Sequence, residues 1–206
     1  TAWALQGSGK TTQALARVDT LKNPAIAGFK EYHAALIASV GGRNADAVAR
    51  ITKAWEVSKT TLPVVLAYAA LKAPEDKPAA LAALKELEKS LPRHLVLLQA
   101  IKDVEAGKAP RLYVTNAQDG AGEVLYQLGN ASTQRNQLAP MIYLRLALYL
   151  APKNDLAVFA LADIYERLKQ HERAIDVYDQ TPEDSPLAPM AQMQIGNELE
   201  SLGRKD

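Results

Sequence analysis

The chain has 206 residues, of which 48% are hydrophobic, and a formal net charge of +1 at neutral pH. This length is enough for a substantial core, and the abundant Ala and Leu favour helices. Cysteine is absent, which excludes a disulfide framework, a thiol nucleophile and a Cys-based metal site. No apolar run reaches about 18 residues, so no membrane-spanning helix is predicted.

Charge is distributed unevenly along the chain. Residues 1–110 contain 15 Lys and Arg against 10 Asp and Glu, whereas residues 111–206 contain 9 against 13. The basic residues of the first part are dispersed and do not form a patch. Nucleic acid is therefore not an expected partner.

Hydrophobic periodicity and turn residues predict twelve helices in chain order. Their predicted ranges are 1–7, 11–22, 25–40, 44–58, 61–73, 77–90, 93–106, 120–134, 137–150, 154–168, 171–180 and 186–202. The first helix lacks a start signal, and the last has no helix after it to cover its apolar face. We therefore expect the sequence to be a fragment of a longer protein.

Residues 107–120, GKAPRLYVTNAQDG, interrupt this helical pattern. The stretch contains Pro, Asn, Asp and two Gly, with a short β-prone run over 112–115, and it has no helical stripe. It is expected to be a loop that replaces a degenerate second helix. The predicted organisation is an N-terminal block over 1–106, an irregular linker over 107–119 and a C-terminal block over 120–206.

A short pattern recurs with a period near 34 residues, which is the mark of a repeat protein. It consists of a small or polar turn, an Ala, an apolar residue four positions later and a small or apolar residue three positions further on. Its copies include Ala14, Val18 and Leu21; Ala47, Ile51 and Ala54; Ala80, Leu84 and Leu87; and Ala174, Tyr178 and Thr181. The spacing makes one apolar stripe on a helix, which only a stacked neighbour can bury.

The segments 2–24, AWALQGSGKTTQALARVDTLKNP, and 161–186, LADIYERLKQHERAIDVYDQTPEDSP, resemble the tetratricopeptide repeat family. The resemblance covers nearly the whole chain, and the style is similar to long bacterial repeat proteins of the cell envelope. It implies an all-α fold, an α-solenoid of stacked antiparallel helix pairs. The chain departs from the family pattern where aliphatic residues replace the large aromatic of the first helix.

The segment from Ala4 to Thr11, ALQGSGKT, is similar to a relaxed phosphate-binding loop. Such a loop needs a strand before it and a helix after it, so that backbone N–H groups surround the phosphate. Here the preceding residues read as helix, and Ala4 stands where the strict motif has Gly. The same residues fit the interhelix turn of the repeat, in register with Gly42, and we interpret them as that turn.

No catalytic or metal-binding constellation is predicted. The three histidines, His33, His94 and His171, fall in three different repeats without metal-ligand spacing. No nucleophile elbow or acid–base pair is recognisable. No cofactor is expected, and the chain is not expected to be an enzyme.

A ladder of small–polar pairs recurs every 33 or 34 residues, at Gly129–Asn130, Ala162–Asp163 and Gly196–Asn197. The small residue would let two helices touch, and the next residue points about 100° away around the helix. In the tetratricopeptide family, that position faces the concave groove where peptides or partner helices bind. The resemblance implies groove positions at Tyr126, Asn130, Gln134, Phe159, Asp163, Glu166, Arg167, Met193, Asn197 and Glu200, with Trp3 equivalent in the first partial repeat. Some family members grip a peptide carboxylate with a Lys four residues before such an Asn, but Tyr126 and Met193 stand there.

The expected function is a non-catalytic protein interaction scaffold, with an exported envelope setting suggested by the resemblance alone. An alternative is the substrate-presenting or regulatory arm of an enzyme whose catalytic domain lies outside these residues. From residue 155 onward there are 11 acidic against 5 basic residues. A protein or peptide partner that is neutral to basic is therefore expected at the C-terminal block.

Overall fold

The structure of the chain is a computed structural model that describes residues 1–131 and 137–204. All regular structure within these ranges is helical. The α-helices are α1 Ala2–Gly7, α2 Thr11–Asp19, α3 Ala27–Val40, α4 Asn44–Val57, α5 Leu62–Lys72, α6 Lys77–Ser90, α7 Leu95–Glu105, α8 Ala117–Asn130, α9 Leu138–Leu150, α10 Asp155–Arg167, α11 His171–Tyr178 and α12 Ala188–Ser201. A short 3-10 helix, Pro24–Ile26, precedes α3.

The prediction of an all-α fold is confirmed, and each predicted helix has a counterpart. The start that differs most is that of α8, predicted at 120 and found at Ala117. Asn116 caps this helix, since its Oδ1 accepts from the amides of Gln118 and Asp119 at 2.8 and 2.9 Å. The Asp119 carboxylate in turn accepts from the amide and hydroxyl of Thr115. This reciprocal cap satisfies free N–H groups in the first turn of α8. It therefore sets the helix start three residues before the predicted one.

The same turn ends five of these helices, α1, α3, α7, α10 and α12. The second residue after the helix adopts a positive φ. The amide of the residue that follows it donates to the carbonyl five residues earlier, as in Lys10 to Leu5 and Arg43 to Ala38. This geometry satisfies helix carbonyls that would otherwise lack a donor. The positive-φ residue is Gly in four of these turns. After α10 it is Lys169, with a φ of 54°. Lys10 lies in the first of these turns, after a helix rather than a strand.

The chain divides into two compact units, residues 1–120 and 121–206. Each of the helices α1 to α6 packs on the next one along the chain, and so does each of α8 to α11. α3 is buried on all sides, and its Ala34, Leu36 and Ile37 have no exposed surface. α4 instead buries a single stripe, Ala47, Ile51 and Ala54. These two patterns match a helix between neighbours and a helix with one solvated face.

Of the four apolar stripes predicted from the repeat, those of α4 and α6 are buried throughout. The last residue of the other two, Leu21 and Thr181, lies beyond the end of its helix, and Thr181 is half-buried. Ala14 and Val18 are buried, but Leu21 lies beyond the end of α2 and is 40% exposed. The helix stops at Asp19 because Asn23 and Pro24 begin the following 3-10 turn. The stripe residues Ala80, Leu84 and Leu87 of α6 are all within 2% of complete burial.

A charged cluster ties α2, α3 and α4 together at their edge. Arg50 donates to both carboxylate oxygens of Asp19 at 2.8 Å and to Glu31 at 3.0 Å. The hydrogen bond from Arg50 holds the pKa of Asp19 below its ordinary value of 3.8. Paired guanidinium–carboxylate bonds of this kind fix orientation as well as energy, so the cluster sets how the three helices meet.

The stretch predicted as an irregular linker is non-helical between α7 and α8, but it is not a solvated loop. Pro110 is buried and Val114 is only 1% exposed. The segment belongs to the compact unit formed by residues 1–120. It is therefore part of the packed N-terminal unit.

Candidate functional site

The three polar ladder residues of the C-terminal unit are exposed. Asn130 lies at the end of α8, Asp163 on α10 and Asn197 on α12, at intervals of 33 and 34 residues. The amide nitrogen of Asn197 donates to Gln194 at 2.8 Å, one turn earlier on the same helix. Three helices of one unit thus present a polar side chain to solvent at the same repeat position.

The small residues that precede them meet different surroundings. A Cβ at Gly129 would lie 2.7 Å from Cγ of Leu144, so α8 and α9 approach closely there. Ala162 is completely buried. Gly196 has no neighbouring atom within 4 Å of the place where its Cβ would be. The small residue is therefore packed in the first two copies, at Gly129 and Ala162. In the third copy, at Gly196, no neighbouring helix lies against it.

Replacing Gly129 by Leu is expected to destabilise the protein by about 1–3 kcal/mol, because the new side chain overpacks the contact with Leu144. Gly196→Leu is the matched control. Both changes add the same side chain inside a helix, and at Gly196 the gain in helix propensity, about 1 kcal/mol, is unopposed. Thermal unfolding followed by circular dichroism measures both variants. Equal melting temperatures for the pair would contradict the close packing of α8 on α9.

The remaining predicted groove residues differ in accessibility. Arg167, Met193 and Glu200 are exposed, and Met193 shows 58% of its surface. Phe159 and Glu166 are half-buried. Gln134 lies outside the described residues. The exposed members are thus spread over α10 and α12.

Phe159 and Glu166 are engaged with α11. The ring of Phe159 meets the ring of Tyr178 edge-on, with centroids 5.1 Å apart. The Tyr178 hydroxyl donates to Glu166 at 2.7 Å. Burial, together with this hydrogen bond, raises the pKa of Tyr178 above its ordinary value. These two side chains hold α10 against α11, which leaves them less available to a partner.

Asp163 and Arg167 form an ion pair along α10, with their charged atoms 2.7 Å apart. Both side chains are about half exposed, so the pair contributes little to stability. Its main effect is on the local field, since each charge offsets the other. The excess of acidic residues counted in the sequence therefore overstates the negative charge at this position.

Tyr126 is 6% exposed and, contrary to the expectation, offers no open surface. It is buried in a polar region that includes Glu123 and Asp155, which are also inaccessible. Burial, reinforced by these two carboxylates, raises the pKa of the Tyr126 hydroxyl. Asp155 accepts a short hydrogen bond from Ser185, joining the start of α10 to the turn before α12. This buried polar region therefore organises the unit internally.

Four large apolar side chains line one exposed face of α9, a feature that was not predicted from the repeat pattern. Leu138, Ile142, Leu146 and Tyr149 are between 46% and 81% exposed. Their spacings of four, four and three residues place them on one side of the helix. The signal was present in the sequence, because α9 is apolar almost all round. Such a helix is ordinarily read as fully buried.

An open cavity of about 330 Å³ lies beside this face, between α9, α10 and α11. Its lining includes Tyr149, Arg145 and Arg173. Nε of Arg145 donates to the Tyr165 hydroxyl at 2.8 Å, and the Arg173 guanidinium lies 6.0 Å from the centre of the same ring. The cavity thus combines apolar walls with two guanidinium groups held by an aromatic side chain.

Among the described residues, no group of three His, Asp or Glu side chains could hold a metal ion. His33 is buried in α3, His94 precedes α7 and His171 begins α11. No helix in the described ranges combines the length and apolar character needed to cross a membrane. The chain matches no protein-family model, and comparison with curated proteins finds no significant match.

Proposed function

We propose that the chain is a non-catalytic interaction scaffold, an α-solenoid of tetratricopeptide-like helix pairs that holds a peptide or partner helix in a concave groove. The observation that carries this proposal is the shared exposure of Asn130, Asp163 and Asn197 at one repeat position. Exposed polar side chains at regular intervals suit an extended main chain, which repeats its own donors and acceptors.

Exposed apolar surface also supports a partner for the C-terminal unit. Seven of the nine exposed large hydrophobic side chains of the described residues fall in this unit. They include Met193 near the ladder residue Asn197 and the stripe on α9. Contiguous apolar surface that stays exposed commonly marks a protein interaction site. Because the helices are already ordered, binding would cost little additional ordering of the scaffold.

The partner segment is proposed to be neutral to basic. The charges of Asp163 and Arg167 cancel each other, since the two side chains form an ion pair. The preference for a basic segment therefore rests on Glu200 and the other exposed acidic residues of the unit. Attraction between exposed charges weakens with salt, because the Debye length falls from about 10 Å at 0.1 M to about 3 Å at 1 M. The amides would then carry the salt-independent part of the affinity.

Selection of a random peptide library on the immobilised chain tests the proposal. Binding of an enriched peptide should weaken about tenfold or more in Asn130→Ala with Asn197→Ala, because each lost side-chain hydrogen bond removes about 1 kcal/mol. Gln13→Ala is the control, since it removes an exposed amide on α2, in the N-terminal unit. Fluorescence polarisation at low and high salt gives both affinities.

The same experiment tests the charge preference. Glu200→Lys should weaken the binding of a basic peptide. Glu172→Lys on α11 is the control, because it makes the same charge change away from the ladder residues. If neither the amide variants nor Glu200→Lys altered affinity while the peptide still bound, the ladder would not be the binding surface. Enrichment of strongly acidic peptides would overturn the proposed sign.

A further inference from the structure

The segment over residues 108–116 takes the place of a helix. α7 ends with the same positive-φ turn as α1, α3 and α10, and Lys108 donates to Asp103 just as Lys10 donates to Leu5. After α1, α3 and α10 the chain enters another helix that packs on the one before. After α7 it continues without helix until Ala117. The chain therefore leaves α7 through the same turn as the other helices, but it is followed by a non-helical segment and not by a second helix.

The destination of this segment is the opposite end of the N-terminal unit. The first turn of α8 lies on α1, because a Cβ on Gly7 would be 3.3 Å from Cβ of Ala117. One on Gly120 would overlap the indole ring of Trp3. α1 and α7 are the first and last of seven helices that pack in sequence. The segment thus begins at one end of the series and finishes at the other.

The segment is long enough to cross the unit. α1 contacts α3, and α5 contacts α7. Three interhelical steps of about 8–10 Å, taken along α1, α3, α5 and α7, amount to about 24–30 Å. Ten residue steps from Gly107 to Ala117 span at most about 33–36 Å. The segment can therefore cover this distance with the bend that it makes at Tyr113.

Burial along the segment is uneven. Pro110 and Val114 are buried, Leu112 and Tyr113 are half-buried, and Arg111 and Thr115 are exposed. The chain bends at Tyr113, and the Arg111 guanidinium lies 4.9 Å from the centre of the Tyr113 ring. The segment is therefore anchored by two buried side chains, one before the bend and one directly after it.

Polar contacts fasten both ends of the crossing. At its start, Lys77 donates to the carbonyl of Glu105 at 2.8 Å, and Lys85 pairs with the Glu105 carboxylate at 2.9 Å. At its end, Thr115 and Asn116 donate to the Asp119 carboxylate in the cap of α8. Between these two fixed points the segment buries the side chains of Pro110 and Val114.

We propose that residues 110–114, Pro-Arg-Leu-Tyr-Val, are an internal ligand that fills a peptide-binding face of the N-terminal unit. This deepens the proposed function and rests on it, since it assumes that the helical units bind extended peptides. The face accepts a short segment that buries a Pro and a Val four residues apart, here Pro110 and Val114. An external partner of that chemistry binds there only by displacing the chain's own segment.

A labelled synthetic peptide with the sequence of residues 109–116, APRLYVTN, tests this in the full chain. The wild type should not bind it at micromolar concentration, because a tethered ligand competes at an effective concentration in the millimolar range. The variant Leu112→Asp with Val114→Asp should release the segment and bind the peptide saturably. A peptide carrying the same two Asp substitutions is the matched control and should not bind.

Circular dichroism shows whether the variant remains helical, and a helical variant that fails to bind the peptide overturns the proposal. Equal binding by the wild type would do the same. If the variant loses its helices, amide hydrogen exchange of the wild type decides. Amides of Leu112, Tyr113 and Val114 should exchange at least about tenfold faster than those of α3, through local release. Exchange at the same rate as α3 would make the segment core and sink the idea. The probe and variants lie within residues 1–120, so failure here is distinguishable from failure of the Asn130 and Asn197 test.

Discussion

Replacing Trp3 by Ala is expected to lower the free energy of unfolding of the N-terminal unit by about 3–5 kcal/mol. The side chain is 7% exposed, although it lies only three residues into the chain, and its ring covers Gly120. Its Nε1 donates to Nδ1 of the buried His33 at 3.3 Å. The substitution removes a large apolar surface and also leaves an imidazole acceptor without its donor.

Urea unfolding followed by fluorescence measures this effect in the N-terminal unit alone, because both tryptophans, Trp3 and Trp55, lie there. Trp55 remains as the reporter in Trp3→Ala. Trp3→Phe is the partial control, since it keeps an aromatic ring and loses the N–H donor. A loss below about 1 kcal/mol in Trp3→Ala would contradict the burial of this ring against α8.

Acid is expected to destabilise the N-terminal unit through His33. Burial lowers the pKa of this imidazole from 6.5 to about 3. Its surroundings are the aromatic rings of Trp3, Phe29 and Tyr32. In the folded protein His33 stays neutral down to about pH 3, whereas the unfolded chain takes up a proton below 6.5. Protonation of the unfolded chain therefore favours unfolding as the pH falls through this window.

The expected loss is about 1.4 kcal/mol for each pH unit below 6.5, or about 2.7 kcal/mol at pH 4.5. Urea unfolding of the wild type and of His33→Phe at pH 7 and pH 4.5 isolates the effect. The variant keeps an aromatic ring and cannot titrate at this position, so it should lose less stability than the wild type. Equal losses in the two proteins would show that other groups cause the acid sensitivity.

The sequence predicted most of the helices because their signals are local. The stripe Ala80, Leu84 and Leu87 specifies α6 without reference to the rest of the chain, and the predicted range 77–90 is the observed one. The early start of α8 was also visible, since Asn116 and Asp119 have the spacing of a helix cap. Gly120 was instead read as the end of a loop, whereas the indole of Trp3 lies against it.

The candidate site was less predictable because exposure depends on distant residues. Asn130, Asp163 and Asn197, which the repeat spacing singled out, are exposed. It could not show that Tyr126 is buried with Asp155, or that Glu166 accepts a hydrogen bond from Tyr178. Trp3 occupies the ladder position of the first repeat and was expected to be open. Its ring instead lies against Gly120, more than a hundred positions later in the sequence, and against His33.

That last contact has a consequence for how the chain folds during synthesis. Helices α1 to α7 can form and pack one after another, because each contacts its neighbour in sequence. Contacts this local favour rapid folding. The indole of Trp3, however, is fully covered only when Gly120 has been made and placed on it. At about 5–20 residues per second, the ring of Trp3 stays uncovered for seconds while the residues up to Gly120 are synthesised. The N-terminal unit therefore closes late, in a single long-range step that follows a series of short-range ones.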